Sequence, residues 1–126
     1  MTFSSNHLVF GTADIENAKS FYIDKLMLEV LEEEKTFFAL RLGDLRLSFF
    51  GGCEKFNESI ENKPGISLVI KVSNIEEAKD YLVNKGITLQ TEIITAGNFM
   101  KFFNVEDPDG NIISFGEYLS DPLLPK

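Results

Sequence analysis

The chain is poor in the residues that most often declare a chemistry. Its 126 residues hold one histidine, one cysteine and no tryptophan. A lone cysteine, Cys53, excludes an internal disulfide framework. One histidine beside one cysteine excludes a zinc finger or any all-His/Cys metal site within a single chain. Basic residues are the minority, 12 against 20 acidic ones, for a net charge of −8. That balance argues against a nucleic-acid partner, because binding phosphates requires a basic footprint. No apolar run approaches the roughly 20 residues of a membrane-spanning helix, so no membrane partner is expected. Residues 1–6 are polar and lack the basic and apolar regions of a secretory leader, so the expected location is the cytoplasm. What remains is an ordinary globular composition, 44% hydrophobic and 25% charged. The length suits one compact domain or two small halves sharing one core.

What the sequence does have is an internal repeat. Residues 7–27 (HLVFGTADIENAKSFYIDKLM) align without a gap on residues 67–87 (SLVIKVSNIEEAKDYLVNKGI), sixty residues on, with seven identities in 21 positions. Two copies are too few for a solenoid, so they read as a pseudo-symmetric pair. Each copy opens with a short apolar strand, near Leu8–Gly11 and Leu68–Val72, and continues into a helix. Ile15, Ala18, Phe21, Tyr22 and Leu26 form one apolar stripe at helical spacing; Ile75, Ala78, Tyr81 and Leu82 form the other. Asp14 and Asn74 are placed to cap the two helices, with Glu77 completing a capping box, and Gly86 is placed to end the second.

Beyond each helix the apolar period shifts towards two. Expected strands are Leu28–Glu34, Phe37–Leu42 and Leu45–Phe50, then Leu89–Ile94, Phe99–Glu106 and Asn111–Glu117. Gly43-Asp44 and Asp107-Pro108-Asp109-Gly110 are turn signals. Residues 51–64 read as a polar linker. The order is βαβββ, twice: one domain over 1–126, with a first module at 5–50, a second at 65–118 and a tail at 119–126. Strand alternation then sorts the side chains. Leu8, Phe10, Leu47, Phe49, Leu68, Ile70, Ile113 and Phe115 share an apolar face that should meet the helices. His7, Val9, Arg46, Ser48, Phe50, Ser67, Val69, Lys71, Ile112 and Ser114 share a mixed face suited either to a ligand or to solvent.

The paired βαβββ order resembles the vicinal oxygen chelate superfamily, which includes glyoxalase I, extradiol dioxygenases, fosfomycin resistance enzymes and bleomycin resistance proteins. The resemblance runs over about residues 5–118. It is carried by His7–Leu31 (HLVFGTADIENAKSFYIDKLMLEVL) and Val105–Glu117 (VEDPDGNIISFGE), the DPDGN turn being the most specific element. It implies an α+β fold, with two tandem modules forming a curved mixed sheet around a cleft and helices on the outer face. Many members are homodimers. One departure is Met27, where the family usually has glycine after the first helix; a changed helix exit or mild strain is expected there.

In the metal-using members four ligands come from four strands. By the resemblance and the repeat, those positions fall here on His7, Ser48, Ser67 and Ser114. Neutral hydroxyls are weak ligands for first-row metals, whose sites are built from imidazole, carboxylate or thiolate. No cofactor is therefore expected; a divalent metal involving His7 is the disfavoured alternative. Glu106 and Glu117 are the nearby carboxylates, but the parity of Glu117 turns it to the helix side or beyond the strand end. The resemblance then points to the metal-free branch, typified by bleomycin resistance proteins that sequester cationic aromatic antibiotics. The expected ligand is an aromatic or amphipathic small molecule. His7, Arg46, Ser48, Ser67 and Ser114 supply polar groups, while Phe38, Phe50 and Phe102 offer ring faces, from a set that also includes Phe37, Phe99 and Phe103. The acidic chain would attract a cation, whereas Arg46 and Lys71 suit an anion, so the charge of the ligand stays open. A glyoxalase- or dioxygenase-type metalloenzyme with a rearranged site is the alternative, and a domain that works through protein partners is a third.

Overall fold

A computed structural model describes residues 1–2, 4–53 and 66–124. The chain divides into two compact units, residues 1–61 and 62–126. The architecture is α+β, as two tandem βαβββ modules. The expected linker lies mostly outside the described residues.

The first unit holds β1 (His7–Gly11), α1 (Ile15–Lys19), β2 (Glu29–Glu33), β3 (Phe37–Leu42) and β4 (Leu45–Phe50). The second holds β5 (Leu68–Lys71), α2 (Ile75–Asn84), β6 (Ile94–Ala96), β7 (Met100–Glu106) and β8 (Ile112–Tyr118). Each unit forms a four-stranded mixed sheet with the same order, β1-β4-β3-β2 and β5-β8-β7-β6. The opening strand runs parallel to the closing one in both. The repeat in sequence is therefore a repeat in topology, because the helix is the crossover that parallel pairing requires.

Alternation decides what is buried. In the first sheet Phe38 pairs with Phe49 and Leu40 with Leu47, and all four are buried. They face Ala18, Phe21 and Tyr22 of the helix. The Tyr22 ring lies 4.5 Å from Phe49, and Phe49 stacks on Phe38 at 4.4 Å. In the second sheet Ile70, Phe103, Val105, Ile113 and Phe115 are buried beside Ile75 and Leu82 of α2. Tyr81, expected in the apolar stripe, is 41% exposed and lies under the Lys85 ammonium instead.

Asp14 and Asn74 cap their helices as expected, accepting from the Asn17 and Glu77 amides. The half-buried Glu117 carboxylate adds a second cap from outside α2, accepting from the Ile75 N–H at 3.0 Å.

Two elements differ from expectation. The segment Ser20–Lys25 continues α1 as a π-helical turn: the Leu26 N–H bonds to the Phe21 carbonyl and the Leu28 N–H to Tyr22. In the second unit the corresponding bonds are one residue shorter, from Lys85 to Tyr81 and from Ile87 to Leu82. The first helix therefore contains one additional residue, absorbed by the wider turn. Its exit corresponds to the second helix at 59 residues, not 60, so Met27 matches Gly86. Both are left-handed, with φ of +57° and +81°. Met27 bears a Cβ where glycine fits without strain, and it is exposed. Met27→Gly is expected to raise stability by about 0.5–1 kcal/mol, the strain relieved outweighing the entropy glycine adds to the unfolded chain. A higher urea midpoint at unchanged slope is the expected readout.

The other difference is β6. A strand expected at Leu89–Ile94 occupies only Ile94–Ala96. The reason is local competition. The Thr91 hydroxyl accepts from the Asn104 N–H at 3.0 Å, and the Gln90 amide side chain donates to Glu106 at 2.8 Å. One backbone bond is kept there, from the Gln90 N–H to the Asn104 carbonyl at 2.8 Å, while the Thr91 hydroxyl takes the place of a carbonyl that would continue the ladder.

Candidate functional site

The side of each sheet away from its buried face carries the mixed residues. In the first unit β1 pairs in parallel with β4, setting His7 opposite Arg46 and Val9 opposite Ser48. On the other flank β3 sets Ala39 opposite Ser48 and Phe37 opposite Phe50. Ser48 is 2% exposed, and its hydroxyl is the centre of a polar chain. His7 Nε2 lies 2.7 Å from Ser48 Oγ, and Arg46 Nε donates to the same oxygen at 3.2 Å. When the ring is neutral with its proton on Nδ1, the Ser48 hydroxyl donates to Nε2 and accepts from Arg46, which uses its capacity in both directions. Arg46 Nη2 donates in turn to Glu32 Oε2 at 2.6 Å.

Glu32 sits on β2, two strands from Arg46. A register shift between Val30 and Glu32 sets Glu32 opposite Ala39. A bulge re-aims the side chains that follow it, and the small Ala39 leaves room for the carboxylate to reach Arg46. Next to this chain, Val9 and Phe50 are 58% and 49% exposed, and the Phe50 ring contacts Phe37 at 4.9 Å.

In the second unit Ser114 has Val69 on one side and Asn104 on the other. Its hydroxyl donates to Asn104 Oδ1 at 2.6 Å. Phe102 pairs with Gly116 on the same side and is half-buried. Ser67 is exposed and precedes the first residue of β5. Gly116 holds the place that Phe50 has in the first unit. A Cβ on it would come within 2.6 Å of Met100 Cε and 3.3 Å of Val69 Cγ1.

The first unit thus brings His7, Arg46 and Ser48 together, with Phe50 beside them; the second holds Ser114 and Phe102 on one side of its sheet. Phe38 is a correction. It was expected to offer a ring to a ligand, but it is fully buried on the helix side, stacked on Phe49. Residue parity within Phe37–Leu42 places it there, opposite to Phe37. Phe103 is buried for the same reason. Glu32 also joins the site, and the bulge that brings it there has no signature in the sequence. Asn104 was also missed, although its place between Phe103 and Val105 assigns it to the Ser114 side.

The donor set does not fit a divalent metal. The first unit offers one imidazole and one hydroxyl at the ligand positions, and that hydroxyl already accepts from a guanidinium. A divalent cation there would meet Arg46 at close range, without a carboxylate or thiolate at the ligand positions to balance it. The second unit offers Ser67 and Ser114. Among the described residues no three His, Cys, Asp or Glu side chains cluster to hold a metal ion. Among them, too, no helix is long and apolar enough to cross a membrane.

Comparison with known proteins places this geometry. A glyoxalase family protein from Enterococcus faecalis superposes with a TM-score of 0.77 at 26% identity, covering 90% of this chain and 97% of its own. The protein SMU.1112c superposes at 0.79 and 21% identity, covering 93% of this chain and 100% of its own. A glyoxalase/bleomycin resistance protein/dioxygenase from Alicyclobacillus acidocaldarius gives 0.74 and 19%, with 94% of both chains covered. No curated protein sequence matches. The profile of the Glyoxalase/Bleomycin resistance protein/Dioxygenase superfamily matches residues 4–115, and with the tandem βαβββ modules this establishes that the chain belongs to that superfamily.

Proposed function

We propose that this protein is a metal-independent small-molecule binding protein that sequesters an aromatic or amphipathic ligand. One observation carries the reading. The only imidazole in the chain, at the first ligand position, is tied to a buried serine that is itself bonded to an arginine. Groups that elsewhere in the superfamily would hold a Lewis acid here form a hydrogen-bonding set. In the first unit His7, Arg46 and Ser48 orient the polar end of the ligand and Phe50 offers apolar surface; in the second unit Ser67, Ser114 and Phe102 are the residues proposed for the same roles. A homodimer accords with the family resemblance.

The test couples two measurements. Elemental analysis of protein purified without chelator is expected to find no stoichiometric transition metal, and His7→Ala is expected to leave metal content unchanged. Calorimetric titration with a panel of aromatic probes is expected to detect saturable binding that Ser48→Ala weakens. A stoichiometric metal lost on His7→Ala, with metal-stimulated turnover of a hemithioacetal or catechol, would overturn the proposal in favour of a glyoxalase- or dioxygenase-type enzyme.

A further inference from the structure

The pairing of Arg46 with Glu32 says more about the ligand than the chain's net charge does. The two partners are held unequally. Arg46 is anchored from below, its Nε on the hydroxyl of buried Ser48, and its side chain is 35% exposed. Glu32 is 56% exposed and stands on β2, a strand at the edge of its sheet whose five residues are all exposed. It reaches Arg46 only because the bulge after Val30 turns it across Ala39. A half-exposed ion pair of this kind contributes little to stability and is readily exchanged. When it opens, Glu32 turns to solvent, while Arg46 stays oriented by Ser48.

From this asymmetry we infer that Glu32 occupies the place of a ligand carboxylate, and that Arg46 is a specificity-determining residue selecting aromatic or amphipathic acids. The inference rests on the binding role proposed above and assigns its ligand a charge. The guanidinium fork is matched to a carboxylate. His7, bonded to the same serine, lies beside that position. Because Arg46 folds along β4 to reach Ser48, the exposed Phe50 ring stands only two residues beyond, about 7 Å along the strand at the usual rise. That separation fits a carboxylate attached to an aromatic ring. A cationic ligand would have to take Glu32 from Arg46 and leave the anchored guanidinium unpaired next to it.

Three probes of one shape test this: 1-naphthoate, 1-naphthylmethylammonium and the neutral 1-naphthalenemethanol, titrated into wild type, Glu32→Gln and Arg46→Gln. Wild type is expected to bind naphthoate about tenfold more tightly than the ammonium probe, the ratio that one differential ionic hydrogen bond supplies. Glu32→Gln is expected to tighten naphthoate several-fold, roughly the gain from removing one competing carboxylate. Arg46→Gln is expected to abolish the preference, and Arg46→Lys to restore it only in part. Thermal unfolding of each variant reports whether it is folded. Preference for the ammonium probe, or naphthoate binding indifferent to both Glu32→Gln and Arg46→Gln, would overturn the inference. If the alcohol binds as well as naphthoate and Arg46→Gln has no effect, aromatic sequestration stands and the acid preference falls. Binding of none of the three by any variant would overturn both.

Discussion

Asp107→Ala is expected to destabilise the second unit by about 3 kcal/mol, the loss of several hydrogen bonds to one buried charge. Asp107 opens the turn between β7 and β8 and is 5% exposed. Its Oδ1 accepts from the Asp109 and Asn111 amides at 2.9 and 2.8 Å, and its Oδ2 from the Asn111 side chain at 2.8 Å. Its own backbone closes the loop, the N–H donating to the Asn111 carbonyl and the carbonyl accepting from Gly110. Gly110 takes φ of +85°, which the turn requires and glycine adopts without strain. Alanine would leave the Asp109 and Asn111 N–H groups in a partly buried turn without their acceptor. Asp107→Asn keeps one acceptor oxygen and is expected to lose about half as much. Urea denaturation followed by far-ultraviolet circular dichroism measures both. A change below about 1 kcal/mol for Asp107→Ala would mean that water replaces the carboxylate at little cost. The consequence reaches the site, because β8 leads from this turn to Ser114 and Gly116.

The second large effect separates two neighbours on one strand. Phe49→Ala is expected to cost about 4 kcal/mol, the usual loss for a buried ring replaced by a cavity. Phe49 is 1% exposed, and its ring contacts Phe10, Tyr22 and Phe38. Phe50→Ala is expected to cost no more than about 1 kcal/mol, since an exposed ring loses one aromatic contact and little burial. Phe50 is 49% exposed and contacts Phe37. The order reverses for ligand binding: Phe50→Ala weakens aromatic probes, whereas Phe49→Ala, at a temperature where it stays folded, leaves their relative affinities unchanged. Comparable stability losses for both would contradict the two-sided reading of β4.

Those neighbours also show why some of the site could be read early. Period-two alternation assigned Ser48, Arg46 and Phe50 to one side of β4 and Leu47 and Phe49 to the other, because a strand leaves each side chain only two directions. The same rule, applied within Phe37–Leu42, places Phe38 in the core, opposite to Phe37. Helix caps at Asp14 and Asn74 were legible because the capping oxygen and the amide it serves lie three residues apart in the chain.

What the sequence determined by itself was therefore local or repeated: the βαβββ order, its duplication, the caps and the DPDGN turn. Each depends on residues close together in the chain, or on comparing one stretch with its copy. The tertiary structure alone decided three things. It put one additional residue into a π-helical turn before Met27, a choice set by keeping both Phe21 and Tyr22 buried while the chain leaves at the right place. It gave the stretch before β6 one backbone bond, from Gln90 to Asn104, and side-chain bonds through Gln90 and Thr91 in place of a full ladder. And it carried Glu32 across Ala39 to Arg46, because a bulge in an edge strand shifts register by one residue and so changes which face a side chain serves. The scarcity of histidine excluded an all-His/Cys metal site within one chain; only the folded sheet shows that the single one present, on β1, bonds to a serine on β4, and that an arginine of the same strand links this serine to a glutamate on β2.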